Sequence, residues 1–137
     1  MTELIFKEES YKIIGSCFEV YNELGPGFLE AVYQEALSIE FTKQNIPFVA
    51  QGEMNVFYKG IELKKKYYPD FRCYENIVLE IKAEENLSRV DESQLLNYLK
   101  GTEMPLGLLV NFGSDKLQYK RFANTMRKSA NIRGKSA

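Results

Sequence analysis

Asp70, Glu80 and Lys82 lie close together in the stretch YYPDFRCYENIVLEIKA, residues 67–83. Glu80 and Lys82 interrupt an otherwise apolar run of Ile77, Val78, Leu79 and Ile81. Side chains alternate along a strand, so Val78, Glu80 and Lys82 share one face and Ile77, Leu79, Ile81 and Ala83 the other. The second face reads as core, and the first opens onto something polar at its C-terminal end. Two carboxylates on neighbouring strands can hold a divalent cation, which polarises a phosphoryl oxygen and acidifies bound water. A lysine beside them orients or activates that water, or stabilises charge on the phosphate. The plain alternative is a half-exposed strand with ordinary surface charges, and the spacing alone does not separate the two.

Cooperation between the carboxylates has a geometric condition. In an antiparallel hairpin, an odd connection such as Tyr74-Glu75-Asn76 sets Asp70 opposite Glu80, whereas a two-residue loop puts them on opposite faces. The metal reading therefore requires a three- or five-residue connection, or a compensating bulge.

Other residues belong to the same discussion. Glu30, with Tyr33 and Gln34 one turn on, could add a carboxylate from a helix; the alternative is a solvated first-turn glutamate favoured by the helix dipole. Gln94 and Tyr98 are four apart and share a helix face, either as site residues or as an interfacial glutamine beside a core tyrosine. The chain has no histidine, which removes His-ligated metals and His-based nucleophilic catalysis. Carboxylate ligands favour a hard cation such as Mg²⁺ or Mn²⁺. The two cysteines, Cys17 and Cys73, read as small buried hydrophobes.

These residues need a framework. At 137 residues and 45% apolar, the chain has the size and composition of one domain. Residues 3–24 show helical spacing at Ile13, Ile14, Cys17, Phe18, Tyr21 and Leu24, stopped by the LGPG turn at 24–27. A second helix is expected from about Phe28 to Lys43, with Leu29, Val32, Ala36 and Ile39 facing the core. Residues 47–71 read as strands with a turn at Lys59-Gly60. Ser88 starts a third helix, with Asp91 completing a capping box, and Gly101 ends it. PLGLLVNF reads as a strand covered on both faces, and KLQYKRF as a more exposed strand or helix start. The order α-α-β-β-β-α-β-β predicts an α/β fold with a mixed central sheet flanked by helices.

No apolar run reaches the roughly 20 residues that span a membrane. The acidic N-terminus lacks signal-peptide features, and a cytoplasmic location is expected. Net charge is −1 but unevenly spread: residues 1–60 carry −5 and residues 114–137 carry +6. The basic end, with Lys120, Arg121, Arg127 and Lys128, can touch phosphates or be a solvated tail. The domain is expected over 1–123, with 124–137 as a basic tail.

Asp70, Glu80-x-Lys82 and Gln94-x-x-x-Tyr98 together resemble the PD-(D/E)XK nuclease superfamily, the glutamine–tyrosine helix resembling its RecB-like branch. LGPGFLEAVYQEAL, with Gly27, Glu30 and Tyr33, resembles the GxxExxY family. YKG, LEIKA, QLLNYLKGT and GLLVNFGSDKLQYKRF resemble its later blocks. The resemblance covers roughly residues 10–123. It implies a restriction-endonuclease-like core and a metal-dependent nuclease centre. Asp70, Glu80 and the Ile81 carbonyl would ligate Mg²⁺ or Mn²⁺, with Glu30 binding directly or through water. Lys82 would position the attacking water, and Gln94 and Tyr98 would orient Lys82 or the substrate. The family often has a histidine just before the glutamine motif, where this chain has Asp91. The implied partner is nucleic acid, DNA ahead of RNA. A non-catalytic nucleic-acid- or protein-binding module on the same fold is the rival reading, and a homodimer or a protein partner stays open.

Overall fold

The computed structural model describes residues 5–124. The basic residues Arg127 and Lys128, and all but Asn124 of the expected tail, lie outside them. Helices α1 (Lys7–Leu24) and α2 (Glu30–Lys43) come first. Strands β1 (Phe48–Ala50), β2 (Met54–Tyr58), β3 (Ile61–Tyr67), β4 (Phe71–Cys73) and β5 (Ile77–Lys82) follow, then α3 (Arg89–Thr102), β6 (Leu106–Asn111) and β7 (Gln118–Ala123). The region between α2 and α3, read as three strands, thus carries five.

Five strands form one mixed sheet in the order β1-β4-β5-β6-β7. β5 and β6 run parallel, joined through α3, and the other neighbours pair antiparallel. α1 and α2 cover one face. Their core contains Ile13, Cys17, Leu37 and Phe41 against Phe71, Ile77, Leu79, Ile81, Leu108 and Val110. α3 covers part of the other face, where Leu95 and Leu99 meet Val78 and Leu109. β5 and β6 are therefore sandwiched, and all six residues of β6 are buried, as its continuous apolar run predicts. β2 and β3 leave the sheet and pair only with each other. Their turn falls at Lys59-Gly60, both at positive φ, as a tight hairpin turn demands.

Two helical expectations are corrected. The buried residues of α2 are Tyr33, Leu37 and Phe41. Leu29, Val32 and Ile39 are exposed instead, and Ala36 packs at the edge of the core. Both stripes have helical spacing, and the one with the aromatics buries more area. Tyr33 also has polar partners: its hydroxyl donates to the Gly25 carbonyl at 2.6 Å and accepts from the Phe28 N–H at 3.2 Å, while its ring stacks on Phe112. α3 runs one residue past Gly101 and is capped by Glu103 in the left-handed region. Its start is as expected, with Ser88 and Asp91 forming a reciprocal capping box. Cys17 and Cys73 are buried free thiols, and burial raises both above the ordinary thiol range.

The chain leaving β5 is tied down by Asn111, which is fully buried at the end of β6. Its side-chain carbonyl accepts from Glu84 N–H and Gly113 N–H, both at 3.0 Å. Its amide donates to the Glu84 carbonyl at 2.8 Å and to Gln118 at 2.9 Å. Residue 113 has to be glycine, since a Cβ there would stand 2.3 Å from both the backbone N and O of Glu84. Gly113→Ala is expected to destabilise the chain by about 1–3 kcal/mol, the scale of overpacking, read as a lower urea midpoint. An unchanged midpoint would show that this contact is loose.

Candidate metal centre

The connection from β4 to β5 is Tyr74-Glu75-Asn76, three residues long, with Tyr74 and Glu75 at positive φ. The register pairs Cys73 with Ile77 and Phe71 with Leu79. Continued by one residue, it brings Asp70 opposite Glu80, as the metal reading requires. The two meet where the hairpin ends: Asp70 N–H donates to Glu80 Oε1 at 3.3 Å, and Asp70 Oδ2 accepts from Ile81 N–H at 2.8 Å. Asp70 is itself fixed through its carbonyl, which accepts from Gln34 Nε2 at 3.0 Å and Gln51 N–H at 3.1 Å. A strand residue directs its N–H and C=O to the same edge. The Ile81 carbonyl thus leaves β5 on the side of Asp70, while the Lys82 carbonyl faces β6 and accepts from Phe112 N–H.

Glu80 is held from a second side. Its Oε2 accepts a short hydrogen bond from the Tyr67 hydroxyl at the end of β3. The Tyr67 ring stacks on Tyr98 of α3, with centroids 3.9 Å apart and planes 6° from parallel. Burial and the nearby Glu80 carboxylate push the Tyr67 hydroxyl far above its ordinary range. Burial, followed by the adjoining Asp70 carboxylate, pushes the Glu80 carboxyl up to about 8, against a partial offset from the Tyr67 hydroxyl. Two carboxylates this close, shielded from water, do not both ionise without a cation.

Lys82 lies one step further along the same face. Its ammonium is 3.8 Å from Asp91 Oδ1. Asp91 stands beside Glu84, whose carboxyl is pushed up to about 7, first by hydrogen bonding to Asp91 and then by desolvation. Burial would raise Asp91, but its bonds with Glu84 and Ser88 and the charge of Lys82 outweigh this and lower it. Glu30 sits at the exposed first turn of α2. Its carboxyl is raised by partial desolvation and by Asp70, against the pull of Lys82, so it faces the same cluster. Gln94 and Tyr98 line a cleft of about 320 Å³ with Lys66, Tyr67, Glu80, Lys82 and Asp91. Tyr98 stacks on Tyr67, whose hydroxyl in turn donates to Glu80.

The donor set suits a hard cation: Asp70, Glu80 and the Ile81 carbonyl offer oxygen at one strand edge. Among the described residues no group of three His, Cys, Asp or Glu side chains is gathered closely enough to hold a metal ion. The carboxylates instead accept hydrogen bonds from within the chain, Glu80 from the Tyr67 hydroxyl and the Asp70 N–H, and Asp70 from the Ile81 N–H. Sequence reasoning missed Tyr67 and Glu84, whose roles come from the returning ribbon and loop. Asp91 was legible as a helix cap and as the residue before the glutamine motif, not as the partner of Lys82.

This arrangement defines a restriction-endonuclease-like α/β protein. A family model for the PD-(D/E)XK nuclease superfamily matches residues 7–122, and the chain belongs to that superfamily. A solved structure described as "Crystal structure of SSO0001" shares the fold, with a TM-score of 0.52 at 20% identity, covering 75% of this chain and 54% of that one. This chain thus spans about half the length of that protein. No curated protein matches it.

The shifted carboxyls set a pH dependence. In the metal-free folded chain Glu80 keeps its proton up to about 8, whereas unfolded it loses it near 4.5. The folded state therefore binds the extra proton in that window, and stability falls as pH rises through it. Glu84 adds to the slope up to about 7. Thermal melts in EDTA are expected to show a falling Tm from about pH 5 to about pH 8, with a shallower slope in Glu80→Gln. A flat wild-type profile would contradict this assignment.

Proposed function

We propose that the chain is a divalent-metal-dependent nuclease that hydrolyses phosphodiester bonds in DNA, in the GxxExxY branch of its superfamily. Superfamily membership brings the expectation of a nucleic-acid substrate and of divalent-metal dependence. The observation that carries the proposal is the meeting of Asp70, Glu80 and the Ile81 backbone at the end of β5, with Lys82 on the adjoining position. Asp70, Glu80 and the Ile81 carbonyl would hold Mg²⁺ or Mn²⁺, and Glu30 would reach it through water. When bound, such an ion polarises the phosphoryl oxygen and acidifies water.

The remaining work falls to the protein. Asp70 is held by Gln34, Gln51 and Ile81, so its carboxylate does not need to reorganise. Tyr67 fixes one oxygen of Glu80 and leaves the other toward Asp70. The Lys82 ammonium orients the attacking water and stabilises charge on the phosphate as the P–O bond to the leaving strand breaks. Asp91 and Glu84 keep Lys82 at the mouth of the cleft, where Gln94 is free to contact the substrate backbone.

The rival is a binding module on the same fold, favoured by one observation: the carboxylates and Lys82 are already engaged within the chain. The two readings separate in solution. Mg²⁺ or Mn²⁺ is expected to raise Tm, because the ion binds the folded state preferentially. Asp70→Asn is expected to abolish that rise while the metal-free protein stays folded. Lys82→Ala is expected to keep the rise but cut labelled DNA about a hundredfold or more slowly. Cutting that persists in EDTA, or is unchanged in Lys82→Ala, would remove the proposal. A Tm rise without cutting of any DNA or RNA would favour the binding module.

A further inference from the structure

The β2–β3 ribbon has no part in the central sheet, and among the described residues it is anchored at its base. Met54 and Tyr67 are buried there, with Val56 partly buried, against Leu95 and Leu99 of α3. The approach is close: a Cβ on Gly101 would stand 2.9 Å from the Val56 side chain. Beyond this anchor the ribbon projects into solvent. Its outer half exposes Phe57, Tyr58, Ile61 and Leu63, with Tyr58 59% and Ile61 66% accessible. Among the described residues, nothing packs over these apolar side chains. Lys59, Lys64 and Lys65 stand among them, all exposed. The Lys59 ammonium lies 5.5 Å from the Tyr58 ring centre. Lys66 marks the change to the base, where it pairs with Glu62 at 2.7 Å.

Ammonium groups interleaved with exposed aromatic faces suit a single nucleic-acid strand. The lysines meet phosphates, and the rings offer stacking platforms to bases of any identity. The ribbon also leads somewhere. Lys66, Tyr67 and Tyr68 at its base line the cleft that contains Glu80 and Lys82. From Ile61 to Tyr67 the strand runs about 20 Å, enough for a few nucleotides.

We propose that the β2–β3 ribbon is a substrate arm that binds single-stranded DNA, with Lys59, Lys64 and Lys65 on the phosphates and Tyr58 against a base, and directs the strand to the cleft. This rests on the nuclease reading for what happens in the cleft, but the arm's binding is independent of metal and of cutting. It also explains how a chain of net charge −1 captures a polyanion: the field that matters is local to the arm.

The test is fluorescence anisotropy with labelled single-stranded and duplex DNA of equal length, in EDTA, over a range of salt. Wild type is expected to prefer the single strand. The triple variant Lys59→Ala/Lys64→Ala/Lys65→Ala is expected to lower the salt slope by about two, near 0.7 for each lost phosphate contact. Tyr58→Ala is expected to weaken single-strand binding about fivefold or more. A control triple, Lys7→Ala/Lys12→Ala/Lys43→Ala, makes the same charge change on α1 and α2 and is expected to keep the wild-type slope. Melts of each variant confirm folding, since all these side chains are exposed. Wild type that binds no DNA, a preference for duplex, or equal slopes for ribbon and control triples would overturn the proposal. Wild type that binds through the ribbon but never cuts would keep the arm and remove the nuclease.

Discussion

Glu80 is a partly buried carboxylate facing a second carboxylate at the end of an apolar sheet, and much of the architecture is organised around keeping it there. Burial and Asp70 both oppose its charge. The chain offsets the strain with a hydroxyl from Tyr67, a backbone N–H from Asp70 and the proton that the raised pKa retains. Each partner arrives from a different element. Asp70 comes from the segment before β4, Tyr67 from the ribbon, and the stack that steadies Tyr67 from α3. A charge in this position is costly for folding unless all of them are in place.

The location follows from sheet topology. β5 and β6 are parallel and sandwiched, so their middles are apolar on both faces. Polar residues can enter only at the strand ends, where helix coverage stops. In open α/β sheets the carboxyl ends of parallel strands are where clefts form. Here Glu80, Lys82 and Asn111 all lie toward those ends. Asn111 ties the departing loop to the sheet, and that loop delivers Glu84 to Asp91. The result is two coupled acid pairs with Lys82 in contact with the second.

Membership of the PD-(D/E)XK superfamily and the fold shared with the SSO0001 structure place these features in a known framework. The ribbon faces both ways. It contributes Tyr67 inward to Glu80 and presents lysines and aromatics outward. A single hairpin thus joins the carboxylate centre to an exposed surface of lysines and aromatics.

The sequence by itself determined the helices, the buried strands and the condition under which the two acids can meet. Alternation and a continuous apolar run identified the buried strands, Ser88 with Asp91 marked the third helix, and an odd connection before Ile77 was the condition for Asp70 to face Glu80, which the register then met. These features are local, set by a few neighbouring residues and by the period of the backbone. Two apolar stripes on α2 had equal periodicity, and only packing against Phe112 and the turn at Gly25 selected Tyr33, Leu37 and Phe41. Tyr67 read as one more strand residue, because nothing near it in the chain reveals that β2 and β3 leave the sheet to pack on α3. Glu84 and Asp91 became partners only once Asn111 fixed the loop between them. Tertiary structure decided these, because each depends on surfaces meeting across dozens of residues, and local periodicity carries no record of such meetings.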